Sequence, residues 1–214
     1  MRLLLKVLAV AVVLAAVFLA GFALWGGEFE RLFDPGRLAE EFQAARSWAW
    51  AAAILLLAAD LVLPIPATGV MAALGNVYGV WLGAAIGTVG ATVSATLGYA
   101  IARFGGQALA RRFAAPGELE RFHAFFDRWG GLAIILSRAA PVLPEVVSLL
   151  AGLARMRFGR FLAAVLAGAA PTALLFAWLG WASREEPWYG MLAAVAIPVV
   201  LWPVLARLTA GRGK

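Results

Sequence analysis

Cysteine is absent from the 214 residues, and histidine occurs once, as His123. Without thiols there is no disulfide framework, no thiolate metal site and no cysteine nucleophile. A single histidine rules out His-rich metal sites and leaves any Ser–His mechanism resting on one residue. Charge is scarce as well: 14% of the residues are Asp, Glu, Lys or Arg, against about a quarter in an ordinary soluble domain. The familiar enzyme signatures are missing too: there is no P-loop, no G-x-S-x-G, no H-E-x-x-H and no G-x-G-x-x-G opening a dinucleotide fold.

What is there is apolar. Hydrophobic residues make up 64% of the chain, more than one small core can hide from water. A soluble globular domain and intrinsic disorder are both excluded. The length suits one compact helical bundle in a membrane rather than two domains. The net charge of +6 fits cytoplasmic loops and anionic lipid better than nucleic acid, so no nucleic-acid partner is expected.

Uncharged runs locate the spans. Val7 to Gly27 is one such run, preceded by Arg2 and Lys6. It approaches the ~20 residues that cross a bilayer and lacks a clean cleavage site, so residues 1–27 are expected to form a retained N-terminal transmembrane helix. Residues 28–47 follow as an external interfacial segment. Between Ser47 and Ala102 the only charge is Asp60. A continuous helix over residues 61–102 would run about 63 Å, twice the hydrocarbon thickness. The chain must therefore fold back, and Pro64-Ile65-Pro66 marks the place. Residues 48–80 are predicted to form a re-entrant hairpin and 81–103 a full span.

A polar stretch comes next, in which Leu119, Phe122, Phe125, Phe126 and Trp129 recur at helical spacing. It reads as an amphipathic helix, either lying at the membrane interface or packed on the bundle. A second hairpin is expected at 131–154, broken around Pro141-Val142-Leu143-Pro144, then spans at about 161–183 and 187–208 and a basic tail at 209–214. Arg2, Lys6, Arg207, Arg212 and Lys214 put both termini in the cytoplasm by the positive-inside rule. The 103–128 stretch with Arg155, Arg157 and Arg160 also falls inside if the hairpins enter from opposite faces. Trp25, Trp48, Trp129, Trp181 and Trp188 then sit at span ends, as an aromatic belt would.

An internal repeat supports this arrangement. Tyr78-Gly79-Val80-Trp81-Leu82 is echoed by Phe158-Gly159-Arg160-Phe161-Leu162, and Pro66 and Gly75 by Pro144 and Gly152. The fold expected is all-α and polytopic: an inverted repeat of two re-entrant hairpins, each followed by a transmembrane helix, with further helices at both termini. Gly75, Gly79, Gly152 and Gly159 are the expected turn and packing glycines. Pro64, Pro66, Pro141 and Pro144 are the expected hairpin breakers, and a broken helix exposes backbone groups where transporters bind cargo.

Three charges lie inside the apolar hairpins: Asp60, Arg138 and Glu145. A charge at membrane depth costs at least a few kcal/mol, so each is a candidate substrate-binding residue. The guanidinium of Arg138 offers a fixed fork of donors for phosphate or carboxylate. Asp60 and Glu145 are able to bind and release protons. The competing reading is an internal ion pair that locks the hairpins together, and Asp60 leaves the site if it lies near the surface. Ser94, Thr88, Thr92 and Thr96 read as helix-packing hydroxyls, and His123 as a surface residue. With His123 in a charged stretch, an intramembrane serine protease is excluded. No catalytic residue, metal or cofactor is expected.

The segment Arg138-Ala139-Ala140-Pro141-Val142-Leu143-Pro144-Glu145, followed by Leu150 to Met156 and Phe158-Gly159-Arg160-Phe161, resembles the signature of the DedA superfamily. This is the VTT-domain or SNARE-associated Golgi protein group. Leu63-Pro64-Ile65-Pro66 with Gly75, Tyr78, Gly79 and Leu82 resembles its first hairpin, and the likeness covers roughly residues 50–182. The resemblance implies facing re-entrant hairpins, lipid movement between leaflets, and recycling of undecaprenyl phosphate or phospholipid linked to the proton-motive force. By position Arg138 matches the family's first hairpin-2 arginine, and Asp60 lies near the acidic residue before hairpin 1. The second arginine is replaced by Pro144 beside Glu145, and Ala67-Thr68-Gly69 lacks the second acidic residue. These departures point to the branch similar to transmembrane protein 64.

The leading expectation is a transporter in a bacterial cytoplasmic (inner) membrane that moves a lipid or polyprenyl-phosphate headgroup between leaflets. Arg138 would bind the anionic head, while Glu145 and Asp60 would gate or couple protons. The partner is then membrane lipid, as anionic phospholipid or undecaprenyl phosphate. The alternatives are a proton- or cation-coupled carrier of a small solute, and a non-transporting membrane-integrity or assembly factor.

Overall fold

The computed structural model describes residues 35–63, 65–113, 117–138 and 143–183. The expected terminal helices at 1–27 and 187–208, the tail at 209–214, Pro64 and Pro141 lie outside the described residues. Among the described residues all regular structure is helical: α1 Pro35–Ala44, α2 Ala49–Ala59, α3 Ala67–Tyr78, α4 Val80–Phe113, α5 Glu118–Ser137, α6 Leu143–Leu153 and α7 Phe158–Ala182.

Among the described residues, two helices carry stretches long and apolar enough to cross a membrane, Val80–Gly106 and Phe158–Ala182. At 1.5 Å per residue the 25 residues of α7 span about 37 Å. α4 does not stop near Arg103 as expected but continues to Phe113. Arg103 donates from Nη1 to the Tyr99 hydroxyl at 2.7 Å and to the Met156 carbonyl at 3.3 Å. The charge is thus accommodated within the helix instead of ending it.

In the first pair of short helices α2 ends at Ala59 and α3 begins at Ala67, so the stretch from 48 to 80 is not one continuous helix. The second differs. Its first arm begins at Glu118, not near 131, because the aromatic stretch and the hairpin arm form one helix, α5. Gly130-Gly131 does not interrupt it. A Cβ on Gly130 would stand 2.9 Å from Phe126 Cδ1 and 3.2 Å from Met156 Sδ, so the missing side chain makes room for packing. Of the two readings of this stretch, packing on the bundle describes Phe122 and Phe126, which are buried with Tyr99, Ala151 and Phe161. Phe125 on the other face is exposed, and the Leu119 side chain lies outside those described.

Backbones approach most closely at glycines. A Cβ on Gly75 would overlap the Ala177 carbonyl, and one on Gly180 would overlap that of Ala72, so α3 lies directly against α7. A Cβ on Gly152 would overlap the Tyr99 carbonyl, which brings α6 directly against α4. Each second short helix therefore packs on the long helix that follows the other pair.

The two turns are built differently. Gly79, at φ 81°, is the single residue between α3 and α4. Gly159 sits in the first turn of α7 with nothing near its would-be Cβ. The α6–α7 turn is made instead by residues 154–157, with Arg155 in the left-handed region at φ 53°. The sequence echo around residues 78 and 158 thus aligns a helix end with a helix start.

These contacts give the bundle two unlike edges. Tyr78 accepts from the Trp50 N–H at 3.0 Å and donates to the Arg46 carbonyl, joining the start of α2 to the end of α3. The start of α4 and the end of α7 lie at the same edge, where Trp48, Trp50, Trp81 and Trp181 are exposed. At the other edge the start of α7 meets Tyr99, which stacks on Phe161 with ring centroids 4.4 Å apart.

Candidate functional site

Both helix breaks fall about halfway along the long helices. On α4, the would-be Cβ of Gly90 faces Leu57 and that of Gly98 faces Leu61, so Asp60 is bracketed at the end of α2. Gly98 also faces Ser148, one turn beyond Glu145 on α6. On α7, Gly168 faces the Arg138 side chain at the end of α5. Four helix ends converge at this level: the C-termini of α2 and α5, and the N-termini of α3 and α6.

The three charges are brought together here. Asp60, Arg138 and Glu145 are each half-buried and near enough for Arg138 to interact electrostatically with both carboxylates. They do not form the close ion pair weighed as an alternative. Among the described residues the ion pair within 4.0 Å is Arg37–Glu41, far from this level. The Nε of Arg138 is buried and has no hydrogen-bond partner among the described residues. A buried guanidinium donor without an acceptor is costly, and an anion between the four helix ends would satisfy it.

The individual residues have distinct local causes. Asp60 ends α2, and its Oδ1 accepts from the Ile65 N–H at 3.2 Å, closing the turn ahead of α3. It therefore has a structural task that the sequence did not suggest. Pro66 precedes the first helical residue of α3, and its carbonyl accepts from Gly69 and Val70. Pro144, expected to break the chain, lies inside the first turn of α6, where a missing N–H costs nothing. Its carbonyl accepts from the buried Ser148 hydroxyl at 2.6 Å. Glu145 is in the same first turn, at the end of the helix where a negative charge is favoured.

Pro171 was missed in the sequence, although its isolated position in an apolar run was visible. It sits inside α7 one turn from Gly168 and removes the donor that would serve the Ala167 carbonyl. Thr172 donates to the Gly168 carbonyl at 2.9 Å. The long helix is thus weakened at the level of the charges. Thr88 and Thr92 donate to carbonyls of their own helix, in keeping with packing hydroxyls. His123, expected at the surface, is half-buried, and its Nε2 is without a hydrogen-bond partner among the described residues. It lies on α5 beside the buried Phe122, away from the three charges. Among the described residues no group of three His, Cys, Asp or Glu is arranged to hold a metal.

The VTT domain matches residues 65–182, more than half of the chain. Undecaprenyl phosphate transporter A of Bacillus subtilis (strain 168) is 28% identical over 106 residues, which cover 47% of this chain and 54% of that protein. The uncharacterized protein YqeD of the same organism is 32% identical over 121 residues, 55% of this chain and 58% of that protein. The chain thus spans a little over half the length of the curated relatives it matches. No solved structure matches it.

Proposed function

The chain belongs to the VTT-domain family of membrane proteins, and we propose that it is a transporter moving a lipid or polyprenyl-phosphate headgroup between leaflets of a bacterial membrane. The observation that carries this reading is the buried Arg138 Nε without a hydrogen-bond partner among the described residues, on a side chain that interacts electrostatically with Asp60 and Glu145 where four helix ends converge. Arg138 takes the phosphate, and the helix N-termini of α3 and α6 add dipoles favourable to an anion. Asp60 and Glu145 gate the site or carry the coupling protons. The name of the related undecaprenyl phosphate transporter A agrees with a polyprenyl phosphate as cargo. The chemistry proposed is transport without covalent change, so no residue is assigned a catalytic role.

In the same reading α2–α3 and α5–α6 are re-entrant hairpins of an inverted repeat within residues 48–182. The exchanged packing of α3 on α7 and α6 on α4 supports a two-fold relation between the halves. The edge with exposed tryptophans lies at the outer headgroup level, and the edge with Arg155, Arg157 and Arg160 lies in the cytoplasm together with both termini. Proline-ended helices are tolerated at membrane depth because protein surrounds them.

A leaflet-exchange assay tests the proposal. The full chain, reconstituted in liposomes, should speed the crossing of a fluorescent phosphate-headed lipid over protein-free liposomes. No acceleration by folded protein rejects it. Uptake of a small solute that tracks a pH gradient, without lipid crossing, would instead establish the carrier alternative. The assembly-factor alternative has one observation in its favour, the Asp60–Ile65 bond, which gives Asp60 a purely structural use.

A further inference from the structure

The α6–α7 turn has a shape that the transport site does not explain. Ala154 and Met156 are buried, whereas Arg155 and Arg157 between and beyond them are exposed. The turn is held in place: the Met156 carbonyl accepts from the Tyr99 hydroxyl and from Arg103, and the Met156 N–H donates to Ala151 at 3.1 Å. With Arg155 at φ 53°, a conformation costly for a residue with a side chain, two arginines are turned outward on a fixed support. Arg160, also exposed, adds a third in the first turn of α7, beside the exposed Phe158. Phe104 on α4, one residue after Arg103, is 82% exposed.

These arginines do not serve the helix they flank. Arg157 caps the N-terminus of α7 and Arg160 lies within its first turn, where the macrodipole is positive and a cation is opposed. That turn contains no acidic residue, and among the described residues none of the three arginines forms an ion pair within 4.0 Å. A charge arrangement unfavourable within the protein calls for a negative partner outside it. The patch lies at the end of a bilayer-length helix with aromatic rings beside it, the level at which headgroup phosphates lie.

We infer that the α6–α7 turn is a docking surface for anionic phospholipid headgroups, held by Arg155, Arg157 and Arg160 with Phe158 and Phe104 reaching into the acyl boundary. It is a surface distinct from the level of Arg138 and does not depend on the protein being a transporter.

Electron paramagnetic resonance on the reconstituted full chain tests this. Phosphatidylcholine vesicles carrying a trace of spin-labelled phosphatidylglycerol or spin-labelled phosphatidylcholine report the fraction of each lipid immobilised on the protein. The wild-type chain should hold phosphatidylglycerol in several-fold preference, and the preference should shrink as salt is raised. R155Q/R157Q/R160Q should bring the two lipids near parity, while R155K/R157K/R160K should retain the preference. In an R138Q background the same triple glutamine substitution should cause the same loss of preference, which separates this surface from the transport site. A wild-type chain with no preference, or one that salt does not weaken, overturns the inference even if the glutamine variant fails to fold. A folded glutamine variant with the wild-type preference overturns it equally.

Discussion

Gly168, midway along α7, makes room for the stem of Arg138: a Cβ there would stand 3.1 Å from Arg138 Cγ and 3.2 Å from Ile135 Cα. The contact fixes where the guanidinium can go, because the α5 backbone is close on one side and the weakened stretch before Pro171 on the other. Gly168→Ala is expected to fold, since Ile135 and the arginine stem need shift by only a few tenths of an ångström. It should nonetheless displace the Arg138 head and lower lipid exchange several-fold. Gly168→Val should cost about 1–3 kcal/mol of stability as well, as overpacking does. Exchange rates and thermal unfolding in detergent, measured side by side, check both effects.

The glycines at the two backbone crossings should behave differently. Alanine at Gly75, Gly180 or Gly152 would drive a methyl group into a carbonyl of the facing helix. No side-chain rotation relieves that clash, so each single substitution should destabilise by about 1–3 kcal/mol or prevent folding. Gly159→Ala, with open space around it, should be neutral or slightly stabilising. Unfolding midpoints of the four variants provide the comparison.

Asp60 carries two roles that substitution can separate. Asp60→Asn keeps an oxygen for the Ile65 N–H and removes the charge, so the fold should be retained and transport lost. Asp60→Leu removes both, leaves the Ile65 N–H without that partner, and should cost about a further 1 kcal/mol. If Asp60→Asn transports at the wild-type rate, the carboxylate is structural only.

Tyr99 anchors the α6–α7 turn through its hydroxyl, which donates to Met156 and accepts from Arg103. Tyr99→Phe preserves the stacking on Phe161 and should lower stability by about 1 kcal/mol. Hydrogen exchange should quicken at Ala154 to Arg157 and remain unchanged at the α3–α7 crossing.

Much of this was legible from the chain. The uncharged stretch around Asp60 was too long for one span, and Pro66 marks the start of α3, although α2 ends earlier, at Ala59. The three candidate charges were found because ionised groups are so rare in apolar segments. Other features were hidden for physical reasons. The second hairpin was expected to start at 131, yet Gly130 lies inside α5 and makes room for Met156, a residue distant in sequence. Gly159 looked equivalent to Gly79 because local sequence echoes do not reveal which residue must take a positive φ. The second turn instead places Arg155 there, a conformation that no composition rule anticipates. The structural bond of Asp60 needed the five-residue turn to be seen, and the unsatisfied Arg138 Nε needed the packing around it.

The most direct measurement is the leaflet-exchange rate of a phosphate-headed lipid in proteoliposomes containing wild-type chain or Arg138→Gln, with folding verified for both. Loss of a charged hydrogen bond to phosphate is worth roughly ten- to a hundredfold in rate, so Arg138→Gln should fall at least about tenfold below wild type. Folded Arg138→Gln exchanging lipid as fast as the wild-type chain would contradict the account.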